Sequence, residues 1–286
     1  MQGVSKKYSL RDNVRLRILQ DMLAGLKENF TRVSSFIMVV DDMTVRIMSA
    51  CAKMIELLER GVLSIEKLDL ERKPLPKMHA IYFVAPTETS VSYILKDFEK
   101  APIYGNVHIF FTNRCDNNLV EKISKCKLLI QRILTFKEIN LDFLCPEQNV
   151  FHFDLPEALP ILFGRKDSPQ AREMEEKIAY KLSTIIPTLF YYEKFQIIYN
   201  KNSSNPVSEK VANILKQRID RFLQLRKTEK EEEVPAPVKI VILDRTYDPL
   251  TPLLHDYYYM SLVYDLLEVK ENLVEYPTQD KTGGTI

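Results

Sequence analysis

Three aspartates, Asp41, Asp42 and Asp244, stand where an enzyme built on an open α/β sheet would place acidic ligands. Asp41 and Asp42 follow the aliphatic run FIMVV, and Asp244 follows KIVIL. Short, continuous apolar runs of this kind are typical of strands buried on both faces. Because the carboxyl ends of such strands line the usual ligand crevice, one hypothesis is a metal-dependent α/β enzyme that holds a divalent ion among the three carboxylates.

The residues that usually accompany such chemistry are missing from the sequence. The chain has 7 glycines, and neither G-x-G-x-x-G nor G-x-x-x-x-G-K-[ST] can be written from them, although phosphate loops need glycine for close backbone approach. There is no G-x-S-x-G elbow, and the 4 histidines stand apart from one another. Since a carboxylate at a strand end can instead cap the following helix, we favour that structural role for the three aspartates.

The helices and strands that position these residues are predicted from the alternation of apolar runs with helix-like segments. A first helix is predicted from Arg11 to Phe30, with an apolar residue at every fourth position. Apolar runs then alternate with helix-like segments at 45–60, 88–100 and 117–134, which predicts a parallel, doubly wound α/β sheet. The predicted strands are 36–40, 63–66, 80–87, 107–113 and 141–148. The first domain should end near 151–155.

The second half of the chain has a different pattern. Residues 171–195 form a long amphipathic segment, in which Pro187 should kink or restart the helix, and a second helix is predicted at 208–227. A loop at 200–208 separates them, and the charged linker 227–237 should stay solvated. KIVILD is then expected to be a buried strand, and Tyr257–Tyr259 to form a half-buried helix face.

Composition and charge exclude several classes of partner. The 286 residues include 40 basic and 39 acidic side chains, so no overall field favours nucleic acid or an anionic membrane. No apolar run is long enough to span a bilayer. The spacing of Cys51, Cys115, Cys126 and Cys145 matches no zinc pattern, and we expect reduced thiols in a cytosolic protein.

Several segments together resemble the SM family of syntaxin-binding membrane-fusion regulators, of the Sec-one and Munc-eighteen type. The stretch KIVILDRTYDPLTPLLHDYYYMSLVYDLL is similar to the signature of that family. Segments 39–54, 71–98, 107–115 and 134–156 follow its exocytic branch in order and spacing. The resemblance covers nearly the entire chain.

The resemblance implies a domain organisation and a function. It implies a five-stranded parallel sheet domain at 1–154, the first segment of a second, incomplete α/β domain at 155–250, and the beginning of a third domain at 251–286, with exposed apolar surface where a domain lacks its second half. It further implies a non-enzymatic, monomeric regulator of vesicle docking and fusion, without metal or cofactor. The expected partners are a syntaxin-type SNARE and the assembled SNARE complex. The protein would be cytoplasmic and recruited to plasma or vesicle membranes through SNAREs. A Golgi, endosomal or vacuolar member is the alternative within the family.

The resemblance also implies a first contact surface for folded syntaxin, which we call the syntaxin-cleft site. Its members are Asp41, Arg46, Lys53 and Glu66. Arg46 and Lys53 are seven residues apart, so one helix would point both outward on the same face. Charges of this kind contribute orientation and association rate more than affinity.

A second implied surface, the N-peptide site, would hold a short N-terminal syntaxin peptide on the outer face of the first domain. Apolar residues would take a hydrophobic side chain, and a carboxylate would take the peptide's arginine. Val120 stands where neuronal members have phenylalanine, which implies a shallower site. The members of the site are Cys115, Leu119, Val120, Ile133, Phe136 and Glu138.

Overall fold

The computed structural model describes residues 9–26, 35–164, 168–189, 195–200, 206–226, 238–270 and 273–275. Phe30, most of the predicted loop at 200–208 and the linker 227–237 lie outside these residues. The predicted first helix is present as α1, Leu10–Leu16, and continues as a π-helix, Arg17–Ala24. Ser9 and Asp12 form a reciprocal capping box at its start.

The first domain contains a five-stranded, fully parallel sheet in the order β2-β1-β3-β4-β5. The prediction of a doubly wound five-stranded sheet is therefore confirmed. The strands are β1 (Phe36–Val40), β2 (Val62–Lys67), β3 (His79–Val84), β4 (Val107–Phe111) and β5 (Ile133–Glu138). The intervening helices are α2 (Asp42–Cys51), α3 (Met54–Glu59), α4 (Glu88–Glu99), α5 (Asn117–Lys125) and α6 (Lys127–Ile130).

Each face of the sheet is covered by its own apolar core. Along β1, Met38 and Val40 point to a core shared with α1 and α2, whereas Ile37 and Val39 point to a core shared with α4 and α5. This alternation follows from the two-residue period of a strand. It explains why β1, β3 and β4 are apolar at nearly every position.

The strand predicted at 141–148 is shorter than expected and does not belong to the main sheet. Residues Leu144–Glu147 form β6, which pairs antiparallel with β7, Val150–His152, outside the main sheet. The true fifth strand is β5, in a segment whose beginning was predicted as the end of the 117–134 helix. As an edge strand, β5 is covered on one side only, so its sequence ILTFKE lacks the continuous apolar run of a central strand.

The predicted single helix at 45–60 is two helices. Helix α2 ends with Ala52 in an extended conformation, and α3 begins after Lys53. The Glu56 carboxylate accepts from the Lys53 backbone N–H at 3.0 Å and from Arg15 Nε of α1 at 3.0 Å, which stabilises a separate helix start. Arg46 and Lys53 therefore do not share one helix face, contrary to the prediction.

The second part of the chain is a smaller α/β arrangement. Its strands β8 (Phe195–Tyr199) and β9 (Val238–Ile242) are parallel, and α8 and α9 share an apolar core with them. The predicted helix at 171–195 was too long, because Phe195 begins a strand, and α8 runs through Pro187 to Leu189 without restarting. The helices are α7 (Ala158–Phe163), α8 (Pro169–Leu189), α9 (Val207–Arg226) and α10 (Tyr259–Leu266).

The stretch after the linker is more exposed than predicted. Ile240 and Ile242 face the core with α8 and α9, but Val241 on the opposite face is 57% exposed. Among the residues that the structure describes, only one face of this strand pair is covered, so KIVILD is not a fully buried strand. Tyr257 is 97% exposed, and Tyr258 and Tyr259 are also exposed, so the expectation of a half-buried tyrosine face was wrong.

Two histidines at the amino end of the sheet predict a pH-dependent stability. The rings of His79 and His108 stack at 5.8 Å, and His108 Nδ1 lies 2.9 Å from Thr135 Oγ1. Burial, followed by the charge of His79, lowers the pKa of His108 from 6.5 to about 4. Because the folded pKa lies below the unfolded one, stability is complete above pH 6.5 and is lost as pH falls toward 4, by about 2–3 kcal/mol at pH 4.

Urea unfolding of the wild type and of His108→Gln between pH 7.5 and 4.5 measures this effect. The free-energy difference between the two proteins should shrink as the pH falls, because glutamine does not titrate. His152→Gln, at an exposed position, is the control and should follow the wild type. A difference that is constant across this pH range would show that His108 is not the group responsible.

Candidate functional site

Asp41 lies at the junction of β1, α2 and the end of β3. Its Oδ1 atom accepts from the Thr44 backbone N–H at 2.9 Å and from Thr44 Oγ1 at 2.9 Å. Its Oδ2 atom accepts from the Ala85 backbone N–H at 2.6 Å and from Ser90 Oγ at 3.2 Å. Both oxygens therefore accept from donors of the protein itself, and the side chain links the start of α2 to the loop after β3 and to α4.

The two other strand-end aspartates have separate local contacts. Asp42 is exposed, and its Oδ1 atom lies 3.3 Å from Lys67 Nζ. Asp244 accepts from the Thr246 backbone N–H at 2.8 Å and begins a 3₁₀ turn, Arg245–Tyr247. Within the part of the chain that the structure describes, no group of three or more His, Cys, Asp or Glu side chains could hold a metal ion.

Arg46 of the syntaxin-cleft site is partly exposed and forms an ion pair. Its Nη1 atom lies 2.5 Å from Asp154 Oδ2, at the predicted end of the first domain. The hydrogen bond from Arg46 lowers the pKa of Asp154. Since both side chains are substantially solvated, the pair contributes about 1 kcal/mol or less, and a partner could exchange for Asp154 at small cost.

Glu66 and Lys53 complete the predicted syntaxin-cleft site. Glu66 on β2 accepts from Tyr104 Oη at 2.7 Å, and burial together with this bond raises the pKa of Tyr104. Lys53 is exposed at the start of α3. The structure places Asp41 and Glu66 at the same end of the neighbouring strands β1 and β2. Arg46 lies on the helix that follows β1, and Lys53 follows the end of that helix.

The six residues of the N-peptide site come from the loop after β4, α5 and the edge strand β5. A register shift between β4 and β5 puts Ile133 opposite Val107 and Phe136 opposite Ile109. Because Val107 and Ile109 face the same core, Ile133 and Phe136 also share that face despite their odd spacing. Cys115, Leu119 and Ile133 belong to this core, so the structure brings these three predicted residues together.

The N-peptide site has a buried floor, a half-exposed apolar rim and one carboxylate. Cys115 and Leu119 are buried, whereas Val120 and Phe136 are each 38% exposed. Phe136 also packs edge-to-face on Phe111, with ring centroids 5.5 Å apart. The exposed parts of Val120 and Phe136 are the apolar surface that a partner's side chain could contact.

Glu138 fixes the loop that carries Cys115. Its Oε1 atom accepts from the Cys115 backbone N–H at 3.0 Å. Burial, followed by the charge of Glu138, raises the pKa of the Cys115 thiol to about 11, so this cysteine is a thiol at neutral pH. Glu138 is itself exposed, and its remaining lone pairs are available to a cationic group.

The sequence patterns did not predict a cleft that lies at the carboxyl end of the sheet. It has a volume of about 860 Å³ and lies between the loops after β3, β4 and β5 and the helices α8 and α9. On its floor Asp142 accepts from Asn113 Nδ2 at 2.9 Å and from Lys181 Nζ at 2.6 Å. Asn113 ends the predicted strand VHIFFTN. Because ligand crevices lie at the carboxyl ends of parallel strands, this position could have indicated the cleft.

These features define a doubly wound α/β protein with a second, smaller α/β part, whose candidate sites are charged and apolar surface patches. The chain belongs to the Sec1 family, because the model of that family matches residues 36–283.

Relatives over nearly the whole chain support this assignment. A protein transport protein sec1 from Dictyostelium discoideum is 34% identical over 97% of this chain, and the SNARE-interacting protein KEULE from Arabidopsis thaliana is 29% identical over 96%. The chain spans 45% and 42% of the lengths of these two relatives.

A solved structure has the same fold. The Unc18–syntaxin 1 complex from Monosiga brevicollis matches with a TM-score of 0.77 and 28% identity, over 98% of this chain and 47% of the matched one. Sly1p in complex with an N-terminal peptide of Sed5p matches with a TM-score of 0.76 and 23% identity, over 94% of this chain and 47% of that one, which supports the fold alone.

Proposed function

We propose that this chain is part of a regulator of vesicle docking and membrane fusion that binds a syntaxin-type SNARE and the assembled SNARE complex. The observation that carries the proposal is the fold match, over 98% of this chain, to an Unc18 protein whose structure is a complex with syntaxin 1. The name of the KEULE relative as a SNARE-interacting protein points the same way. Such a regulator acts by binding one conformation of its partner more tightly than another.

The proposed organisation follows the family pattern. Residues 1–154 form the first, syntaxin-binding domain, residues 155–250 the first segment of the second domain, and residues 251–286 the beginning of the third. We propose a monomer that works without catalysis or cofactor, in the cytoplasm and at membranes that carry its SNARE. No helix within the described ranges is long and apolar enough to cross a membrane. Stoichiometric heat in a calorimetric titration with magnesium and nucleotides would contradict the non-enzymatic part of the proposal.

A role in endosomal or vacuolar traffic is the second candidate. A vacuolar protein sorting-associated protein 45 from Dictyostelium discoideum is 26% identical over 89% of this chain. The sec1 protein of the same organism is 34% identical over 97%, which favours the exocytic role. A pull-down with cytosolic segments of plasma-membrane and endosomal syntaxins separates the two by which segment is retained.

Substitutions at the two proposed syntaxin sites should have different effects. Arg46→Glu should weaken binding of the folded syntaxin cytosolic segment about tenfold, because it reverses a charge at the syntaxin-cleft site. Glu138→Lys should leave that binding within about threefold and weaken an isolated syntaxin N-terminal peptide about tenfold, since it removes the proposed arginine partner. Calorimetry with both ligands on both variants measures the contrast.

Asp154→Asn is the matched control for Arg46→Glu. It breaks the same ion pair but leaves the arginine available, so binding of folded syntaxin should be unchanged or slightly tighter. If Asp154→Asn weakens binding as much as Arg46→Glu, the ion pair has a structural role and Arg46 does not contact the partner. Equal losses for both ligands in Arg46→Glu and Glu138→Lys would contradict the existence of two sites.

A further inference from the structure

The cleft of about 860 Å³ at the carboxyl end of the sheet, which we call the sheet-end cleft, adjoins both proposed syntaxin sites but is lined by other residues. Its lining includes Glu173 and Glu176 of α8 and Arg218 and Arg221 of the neighbouring helix α9. Each pair has the three-residue spacing that places side chains on one helix face. The loop after β4 adds Arg114 and Asp116 to the lining.

The lysines of the sheet-end cleft are neutralised within the protein. Lys181 Nζ lies 2.6 Å from Asp142 Oδ1, and both side chains are largely buried. Lys177 Nζ lies 3.5 Å from Glu157 Oε1 at the rim. Lys181 is therefore a buried structural cation, whereas the solvated pair of Lys177 contributes little to stability.

The remaining charged residues lining the cleft stay apart from one another. Across the described ranges, no ion pair within 4.0 Å joins the arginines of the cleft to its carboxylates, although both kinds line the same space. Carboxylates on one helix and arginines on its neighbour give the lining a directed electric field. The six residues are Arg114, Arg218, Arg221, Asp116, Glu173 and Glu176.

The Arg218 side chain of α9 packs on an aromatic ring of α8. Its guanidinium lies over the ring of Tyr180, 4.3 Å from the ring centroid. In the described structure its Nε atom is buried without a hydrogen-bond partner. A guanidinium fixed on an aromatic face loses little side-chain entropy when it binds a carboxylate, so this residue is a pre-organised hydrogen-bond donor for an acidic group.

We propose that the sheet-end cleft binds a polypeptide segment of a SNARE-type partner that carries basic side chains on the flank facing α8 and acidic side chains on the flank facing α9. This inference rests on the proposed function, and it adds a third contact to the two syntaxin sites. The loop 113–116 connects the cleft to the N-peptide site, because Arg114 and Asp116 line the cleft while Cys115 lies in that site.

Because the cleft is lined by both positive and negative side chains, it suits a polypeptide better than a small ligand of one charge. Glu173, Glu176 and Asp116 would repel a nucleotide or an inositol phosphate at the positions where the arginines would attract it. A single metal ion would not bridge walls whose carboxylates form no three-membered group in the described chain. The volume of about 860 Å³ is near the upper end of the roughly 300–1,000 Å³ range of ligand pockets, enough for several side chains.

The test measures binding of a syntaxin cytosolic segment to this chain by calorimetry, at low and high salt. The variants are Arg218→Glu with Arg221→Glu, Glu173→Lys with Glu176→Lys, and all four together. Each pair should weaken binding about tenfold at low salt and less at high salt, since the reversed wall repels the adjacent flank. The quadruple variant keeps the net charge of the wild type and should bind no better than either pair.

Lys216→Glu with Lys239→Glu is the control, because both lysines are exposed and the change in net charge equals that of the arginine pair. It should bind within about threefold of the wild type. Arg221→Gln, with a thermal melt, provides a milder change if the double variants unfold, and about a threefold loss is expected.

The possible outcomes are distinguishable. Recovery of wild-type affinity in the quadruple variant, or an equal loss in the lysine control, would show that only net charge matters and would overturn the proposal. Unchanged binding in every cleft variant would do the same while leaving the proposed function intact. If the wild type itself binds no syntaxin segment, the proposed function and this inference both fail. Tight binding of inositol hexakisphosphate that Arg218→Glu abolishes, with syntaxin binding unaffected, would instead assign the cleft to a small anion.

Discussion

Replacing Arg72 with methionine should lower the free energy of unfolding by about 3–5 kcal/mol. Arg72 Nη2 lies 2.5 Å from Asp97 Oδ2, and the two side chains are only 4% and 7% exposed. Tyr82 Oη donates to the same carboxylate oxygen at 2.6 Å. Without the arginine, Asp97 stays buried with its charge uncompensated, and removal of one partner of a buried pair costs an amount in this range.

The same substitution should also release the segment after β2. Arg72 Nη1 donates to the carbonyl oxygens of Lys67 and Leu68 at 2.7 Å each, so it fixes the loop that follows the proposed contact residue Glu66. Urea denaturation measures the stability loss, and limited proteolysis measures the release of the loop.

Two further variants are the controls for Arg72→Met. One removes both partners of the buried pair, and the other breaks an exposed ion pair. Arg72→Met with Asp97→Leu removes both charges together, so its loss should be smaller than that of Arg72→Met alone. Lys125→Met breaks an exposed pair with Glu121 and should cost about 1 kcal/mol or less. If Arg72→Met is no more destabilising than Lys125→Met, the pair is solvated and its burial does not govern stability.

Asp41→Ala should be the second most damaging change, with a loss of about 2–4 kcal/mol. It removes the cap of α2, a loss worth about 1 kcal/mol. It also leaves the Ala85 backbone N–H without its acceptor in a half-buried junction, which adds about 1–3 kcal/mol. Thermal or chemical unfolding measures the loss.

Asp41→Asn separates a structural role from a binding role at this position. Asparagine keeps one acceptor oxygen but loses the second, so we expect an intermediate stability and a folded protein. If Asp41 is mainly structural, the folded fraction should bind syntaxin with unchanged affinity. A folded Asp41→Asn protein with tenfold weaker binding would instead show that the carboxylate contacts the partner directly.

The sequence contained a strong signal for the central strands. In β1 every residue from Phe36 to Val40 is buried, and a strand covered on both faces must be apolar throughout. The edge strand β5 gave a weaker signal, because one side of ILTFKE is exposed and needs no apolar residue. The buried residues Leu141 and Phe143 lie outside any strand, so their apolar character extended the predicted strand into the segment before β6.

The sequence also indicated some features of the candidate sites and not others. The six residues of the N-peptide site were named from family resemblance, and no periodicity reveals the register shift that puts Ile133 and Phe136 on one face of β5. The pairing of Arg46 with Asp154, 108 residues away, and the break between α2 and α3 were not visible in the sequence. Nor was the sheet-end cleft, whose walls come from segments far apart in the chain.

The sequence by itself determined the doubly wound sheet, the family and the capping position of Asp41, because these depend on local patterns of burial and on short motifs. Only the tertiary structure decided which charges are neutralised. Lys181 and Arg218 are both cations on α8 and α9, yet one meets Asp142 and the other lies on Tyr180 facing an open cleft. The physical reason is that an ion pair depends on a distance of a few ångströms between residues remote in sequence, and the packing of helices against the sheet sets that distance.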